Sequence, residues 1–385
     1  MHKRHWDIFC TVVDNYGDIG VTWRLARQLV AEFAQPIRLW VDDLASFASL
    51  CPDLDPALAT QTRDGVSICR WDPDFDPTWQ PGALVIEAFA CQLPDAALRA
   101  MAQASPRPLW LNLEYLSAEA WIDDCHSLPS LQSNGLAKHF FFPGFSPRSG
   151  GLLCEGSLSA QRQAWQADPA QRQALFAQLG VPPQPAHCRY ISLFTYETQA
   201  LPGLLQAWAD GQDPVCLLVP EGRVLASLQP WLGQALPAGA QARRGNLQLV
   251  GLPMTDQAGY DRLLWSCDLN LVRGEDSFLR AQWAARPFLW HIYQQEDDIH
   301  LEKLQAFMAR YASGLSAEAR QALLDFHLAY DRGEAEQMAI QWPQWCHHSA
   351  EYLSWARRWP EQVLSGGDLA SRLVQWVENR LEYGV

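Results

Sequence analysis

Lysine is nearly missing from this sequence: Lys3, Lys138 and Lys303 are the only three in 385 residues, and arginine supplies every other fixed cation. None of the three lies in a G-x-x-x-x-G-K-[ST] run, which excludes a P-loop. Positive charge is scarce altogether, with 29 Lys and Arg against 43 Asp and Glu, a formal charge of −14. That balance argues against a general nucleic-acid or anionic-membrane binder, since both need clustered cations. No apolar run approaches the ~18 residues of a membrane span. The segment Met1–Asp7 has no signal-peptide apolar region. Ten cysteines are present, but with no C-x-x-C and no paired spacing. The expectation is a cytosolic protein with reduced thiols. His347 and His348 follow Cys346 without any partner at ligand spacing, so no metal site is assigned. Internal repeats and low-complexity segments are also lacking.

What is present reads as a globular chain with a sizeable core, 48 % apolar and 19 % charged, long enough for two domains. The first half alternates short apolar strands with helical stretches. Ile8–Val13 reads as a buried strand, followed by the polar turn Asp14–Asp18 and a helix from Ile19 to Phe33. Further strands are expected at Ile37–Val41, Ala83–Glu87 and Leu109–Leu113. Asp168 can cap a helix that opens on Pro169 and ends at Gly180. The run Pro182-Pro183-Gln184-Pro185 then suggests a stiff connector. A second alternating set follows at Tyr190–Phe194, Val215–Val219, Leu247–Val250, Leu269–Val272 and Pro287–Trp290. From Glu296 the chain reads as largely helical. Its last piece places Leu369, Leu373, Val377 and Leu381 on one stripe. The expected organisation is a first domain over 1–183, a second over 184–362, and a helix over 363–385 packing back on the first. Alternation of this kind builds mostly parallel, doubly wound sheets, whose ligands bind beyond the carboxyl ends of strands.

Two polar turns after strands concentrate the chemistry. The first is Asp14-Asn15-Tyr16-Gly17-Asp18-Ile19-Gly20. Two carboxylates four residues apart sit among glycines that let backbone approach a ligand closely. A cap at the helix start would account for Asp18 without any function, but it leaves Asp14 unexplained. Both readings stay open from the residues alone. The run lacks G-x-G-x-x-G, so no dinucleotide fingerprint is supported. The second turn is Arg273-Gly274-Glu275-Asp276-Ser277-Phe278. Here a cation, two acids and a hydroxyl crowd a helix N-terminus, which already favours phosphate through its free N–H groups and dipole. Arg273 offers a planar fork for a diphosphate, Ser277 a hydroxyl donor, and Glu275 an acceptor for sugar hydroxyls. Capping by Asp276 or Ser277 is the structural alternative. Phe194-Thr195-Tyr196 can present rings for base stacking, or can simply enter the core. Glu87 and Glu114 each end a strand, where an acid is expected to face the same rim as Asp14 and Asp18.

The segments DNYGDIGVTWRLARQL, LVIEAFAC, LNLEYLSAEAW, ISLFTYE and LVRGEDSFLRAQWAARPFLWHIYQQ together closely resemble the elongation factor P arginine rhamnosyltransferases, in order from Ile8 to Leu304. The resemblance implies an α/β chain with the GT-B glycosyltransferase fold, two Rossmann-like domains facing across a cleft. It implies transfer of rhamnose from dTDP-β-L-rhamnose to an arginine of folded elongation factor P, with inversion and with neither metal nor cofactor. Asp18 then matches the general base, Asp14 its neighbouring essential acid, and Glu275 the essential acid of the donor site. Arg273, Asp276 and Ser277 fall on nucleotide-diphosphate contacts, and Phe194, Tyr196, Gln257 and Tyr293 on positions lining thymidine or sugar. The turn Asn15, Tyr16 and Gly17 is assigned to the donor as well. Asp14, Glu87, Glu114 and Tyr115 are assigned to the acceptor.

Two other classes of function are compatible with parts of the pattern. Another nucleotide-sugar transferase or a sugar-nucleotide epimerase would keep the donor helix without needing the acidic first-domain rim. A non-enzymatic module binding a translation factor would show no nucleotide-sugar affinity. Thermal shift with dTDP, UDP and GDP separates these, because a ligand of the folded state raises its melting temperature.

Overall fold

The computed structural model describes residues 4–13, 16–72 and 74–383. It divides into two compact units, Met1–Gly156 with Val363–Val385, and Ser157–Gln362. The first unit contains β1 (Trp6–Cys10), β2 (Ile37–Val41), β3 (Thr60–Arg63), β4 (Val66–Arg70), β5 (Leu84–Ala88), β6 (Leu109–Leu113), β7 (Pro129–Leu131) and β8 (Ala137–Phe141). They form one sheet in the order β3-β4-β2-β1-β5-β6-β8-β7. All neighbours run parallel except the edge pairs β3·β4 and β7·β8. A parallel strand covered on both faces must be apolar along its whole length, and β1 and β5 are buried at every residue. The edge strands escaped the apolar pattern because Thr60–Arg63 and Pro129–Leu131 are polar or largely exposed.

The sheet carries a fully buried acid, Asp7, on its central strand β1. Asp7 accepts hydrogen bonds from Arg38 Nε at 2.7 Å, Trp40 Nε1 at 2.9 Å and the Gly82 amide at 2.8 Å. Burial opposes its ionisation, yet His5, Arg38 and Trp40 together hold its pKa below the ordinary carboxylate value. Arg38 is the register partner of Asp7 on β2, so the pair also marks the alignment of the two central strands.

The second unit contains β9 (Arg189–Leu193), β10 (Val215–Pro220), β11 (Gln241–Arg244), β12 (Leu247–Leu252), β13 (Leu269–Arg273) and β14 (Phe288–His291). Their order is β11-β12-β10-β9-β13-β14, parallel apart from β11·β12. Helices connect the strands, and four longer ones beyond Ile299 complete the unit. Arg280 and Asp261 are both buried and form a two-pronged ion pair at 2.8 and 2.7 Å, tying helix Asp276–Trp283 to helix Gln257–Ser266.

The division between units falls before Ser157, not at the proline run. Helices Leu158–Ala167 and Pro169–Gln178 pack within the second unit. Arg162 donates to the Trp283 carbonyl at 3.1 Å, and Trp165 Nε1 to Ser266 Oγ at 3.0 Å. Phe176, Val181 and Cys188 bury against Cys216, Leu218 and Cys267. The prolines are therefore a packed crossing within one unit, because the apolar residues on both sides of them share one core. The terminal helix Leu369–Tyr383 belongs to the first unit. The Leu369 amide donates to Leu152 O, Gln28 Nε2 to Asp368 Oδ1, and Arg372 Nη1 to Ser149 O. Leu369, Leu373 and Val377 are buried there, while Leu381 is exposed.

All ten cysteines are free thiols. No helix among the described residues is long and apolar enough to cross a membrane. Substituting Asp261→Ala leaves the Arg280 guanidinium buried without its two-pronged carboxylate. A loss of about 3–5 kcal/mol is expected, measured as a fall in the urea unfolding midpoint; an unchanged midpoint would show that the pair adds nothing.

Candidate active site

In each sheet the winding reverses beside one strand. In the first sheet β2 and β4 lie to one side of β1, and β5, β6 and β8 to the other. In the second, β10 and β12 lie to one side of β9, and β13 and β14 to the other. Where winding reverses, successive connections leave in opposite directions and open a crevice beyond the carboxyl ends of the strands, the usual ligand position in such sheets. Each reversal carries one of the turns singled out by sequence. Beyond β1 lie Thr11–Val13 and Tyr16–Asp18, and beyond β5 Phe89–Ala90. Beyond β9 and β13 lie Phe194–Tyr196 and Gly274–Ser277.

At the first reversal the helix begins at Gly17, two residues earlier than expected, with Tyr16 in the capping position and no side-chain cap. Asp18 thus lies inside the first turn and is not the cap. It is buried, at 4 % exposure. One carboxylate oxygen accepts the Val13 amide at 3.2 Å, and the other accepts the Tyr115 phenol at 3.2 Å. The first bond closes the strand-to-helix turn. The second is a long-range bond with no local structural purpose. Asp14 and Asn15 lie outside the described residues. Glu114 is half-buried, holds the Asn112 side-chain amide, and has its pKa raised by burial against the pull of that donor. Asp18 and Tyr115 are therefore in contact, and Glu114 precedes Tyr115 directly. Glu87 is elsewhere: it does not stand open on a rim but is buried at 3 % exposure, with Lys138 Nζ 3.1 Å from its carboxylate. Lys138 in turn lies over the Trp110 ring. The acid faces into the sheet because β5 alternates its side chains and Glu87 falls on the Val85 side, where the aromatic core packs.

At the second reversal Gly274 takes φ +60°, a conformation that costs glycine little. This bends the chain out of β13 so that Glu275 takes the capping position of helix Asp276–Trp283, without a side-chain cap bond. Glu275, Asp276 and Ser277 are partly exposed here. Arg273 is buried, with its guanidinium 5.0 Å from the Phe194 ring centre and 4.8 Å from that of Tyr196. Phe194 and Tyr196 are themselves buried, so the sequence alternative of core packing holds for most of their surface. The exposed Tyr293 meets Tyr196 edge to face at 5.5 Å. Gln257 is buried in the first turn of its helix, one turn before Tyr260. The structure thus gathers Arg273, Phe194, Tyr196 and Tyr293 into one cluster, with Glu275, Asp276 and Ser277 at the adjoining helix start.

Several members were not legible in the sequence. Tyr260 packs edge-on against Phe194 at 5.6 Å, and burial raises its phenol pKa. Arg223 stacks over Tyr196 at 5.3 Å while paired with Glu197 at 2.8 Å. Burial opposes ionisation of Glu197, but the Arg223 partner prevails and lowers its pKa. His291, the register partner of Arg273, meets Tyr196 at 5.5 Å, and burial lowers its pKa to about 3. No local motif marks these residues; only their position beside the reversal does. No group of three or more His, Cys, Asp or Glu among the described residues could hold a metal ion.

Two α/β units, each with a polar turn at its strand-order reversal, define the class: the chain has the GT-B glycosyltransferase fold. HepE of Anabaena, solved in complex with UDP-glucose, shares that fold at 12 % identity and a TM-score of 0.52, covering 98 % of this chain and all of its own. Sequence comparison narrows this. The family model described as elongation factor P (EF-P) rhamnosyltransferase EarP matches residues 6–378. The protein-arginine rhamnosyltransferase of Shewanella oneidensis is 51 % identical over 385 residues, 97 % of this chain and 98 % of that one. A solved structure described as the basis for EarP-mediated arginine glycosylation of translation elongation factor EF-P aligns at a TM-score of 0.71 and 40 % identity, covering 98 % and 99 % of the two chains. The chain belongs to the EarP family of protein-arginine rhamnosyltransferases.

Burial raises the pKa of Glu87, with the Lys138 ammonium acting against it. Lys138→Met removes that opposing charge. An acid whose folded pKa exceeds its unfolded value binds more protons when folded, so stability falls as pH rises through the interval between the two. The variant is expected to lose on the order of 3 kcal/mol near neutral pH and distinctly less at about pH 4. Melting temperatures at the two pH values check this, and equal losses would contradict it.

Proposed function

We propose that the chain transfers rhamnose from dTDP-β-L-rhamnose to one arginine side chain of folded elongation factor P, by single displacement with inversion and without a metal. The observation that carries this reading is Asp18: a buried carboxylate at a strand-order reversal, bonded by a tyrosine from the loop after β6. The names of the relatives and of the solved homologue support arginine and elongation factor P as acceptor.

The chemistry asks two things of the residues. A guanidinium, with a pKa of about 12.5 or more, is protonated and a poor nucleophile. Carboxylates must orient it, localise its charge and take a proton as the C–N bond forms. Asp18 is the base in this reading. Asp14 is its neighbouring acid, and Glu114 with Tyr115 borders the acceptor. Glu87 acts at a remove, through its pairing with Lys138. As nitrogen attacks the anomeric carbon, the bond from that carbon to the diphosphate oxygen breaks and dTDP departs with the electron pair. Its growing charge is met by Arg273 and the helix start at Asp276 and Ser277. Phe194, Tyr196, Gln257 and Tyr293 line thymidine or sugar, and Glu275 accepts from sugar hydroxyls. Asn15, Tyr16 and Gly17 are assigned to the donor.

Incubating the protein with dTDP-β-L-rhamnose and elongation factor P should add one deoxyhexose, read by intact mass. No added mass with this donor would refute the reading. Asp18→Asn is expected to abolish transfer while leaving dTDP affinity nearly intact; wild-type turnover would remove Asp18 as base. Arg273→Ala should weaken dTDP binding by ~10- to 100-fold, as loss of a charge-assisted contact implies. Unchanged affinity by calorimetry would count against the diphosphate role.

A further inference from the structure

The turn after β5 holds two consecutive non-glycine residues in the left-handed region, Phe89 at φ 56° and Ala90 at φ 55°. Side-chain-bearing residues rarely adopt it, and such conformations persist only where the surroundings over-determine them. Here the surroundings do so through β6. The Phe89 amide donates to Leu113 O at 2.7 Å, and the Ala90 amide to Asn112 Oδ1 at 3.1 Å. Asn112 is buried, at 1 % exposure, and its amide nitrogen donates to the Glu114 carboxylate. One side chain therefore fixes both the strained turn and the acid on the neighbouring strand.

The product of this arrangement is a pair of stacked rings. Phe89 lies on Tyr115 with centroids 4.6 Å apart and planes 22° from parallel. Tyr115 remains 50 % exposed, while its hydroxyl donates to Asp18. An exposed tyrosine on a surface loop gains little from being held this rigidly, unless its ring face has something to bind.

We propose that Phe89 and Tyr115 form a shelf for the acceptor guanidinium, and that Asn112 is the positioning residue holding shelf and Glu114 in register with Asp18. This rests on the reading of Asp18 as the base. A guanidinium is planar and weakly hydrated and lies flat on aromatic faces, attracted by the ring quadrupole. Stacked there, it keeps its N–H groups in its own plane, parallel to the ring, and directs them outward to carboxylates at the shelf's edge. Asp18 already touches that edge through the Tyr115 hydroxyl. A lysine ammonium has no plane to stack, so the shelf also selects arginine over lysine.

Phe89→Gly tests the shelf, because glycine adopts the observed φ without strain and the fold is kept. The acceptor KM is expected to rise roughly 5- to 30-fold, the range of a partly desolvated cation–ring contact, with dTDP affinity unchanged and no fall in Tm. Phe89→Leu, which keeps apolar bulk without the ring, should raise the acceptor KM similarly, and Phe89→Tyr should restore it. An unchanged acceptor KM in both Phe89→Gly and Phe89→Leu overturns the shelf. Asn112→Ala should raise the acceptor KM while sparing the donor KM; an equal rise in both overturns its positioning role. Asp18→Asn measured in parallel separates the two levels. Full turnover in that variant defeats the base reading, whereas a dead Asp18→Asn beside a normal acceptor KM in Phe89→Gly defeats the shelf alone.

Discussion

The structure of each unit depends on one constraint, the reversal of strand order beside its first strand. A parallel sheet is built by right-handed crossovers, so strands added to one side of β1 or β9 send their helices to one face. Strands added to the other side send theirs to the opposite face. At the reversal the connections part, and the ends of two adjacent strands are left with polar turns that no helix covers. The residues at those ends escape the apolar requirement that governs the strands themselves. This is why β1, apolar except for Asp7, is followed so soon by the carboxylate of Asp18, and why β13 can end in Arg273.

The two turns solve opposite electrostatic problems. The first unit must keep a carboxylate available beside apolar strands. The Val13 amide and the Tyr115 hydroxyl each hold one oxygen of Asp18 there. Glu87 is paired with the Lys138 ammonium and is buried away from the rim. The second unit must keep a cation available. Arg273 is set over the faces of Phe194 and Tyr196, whose rings attract it. The buried Asp261–Arg280 pair shows the contrasting case, in which both charges are spent on each other to join two helices.

Much of this was legible from local pattern. The central strands, the cap at Asp168 and both chemical turns follow from apolar runs, caps and breakers that act over a few residues. The reading failed where long-range packing decides. Pro182–Pro185 looked like a linker because prolines are stiff, but Phe176 and Val181 ahead of it share a core with Cys188 and Cys216 beyond it. Asp18 looked like a possible cap because it directly precedes Ile19, the expected helix start, but the helix begins at Gly17. Glu87 and Glu114 looked equivalent because each nears a strand's end. Side-chain alternation sends Glu87 into the aromatic core, while Glu114 is held by Asn112 at the edge.

The scarcity of lysine acquires its meaning here. Of three lysines in the chain, Lys138 is committed to Glu87, and the cation at the end of β13 is a guanidinium, Arg273. The amino-acid sequence by itself determined the α/β alternation, the family and which turns carry charge, because strand and turn propensities act locally. Only the tertiary structure decided that Tyr115 would reach Asp18, that Phe89 would stack on Tyr115, and that Arg223 and Tyr260 would join Arg273. Those contacts join residues 26 to 97 positions apart, and they exist only once parallel strands bring the ends of separate segments to the same edge of a sheet.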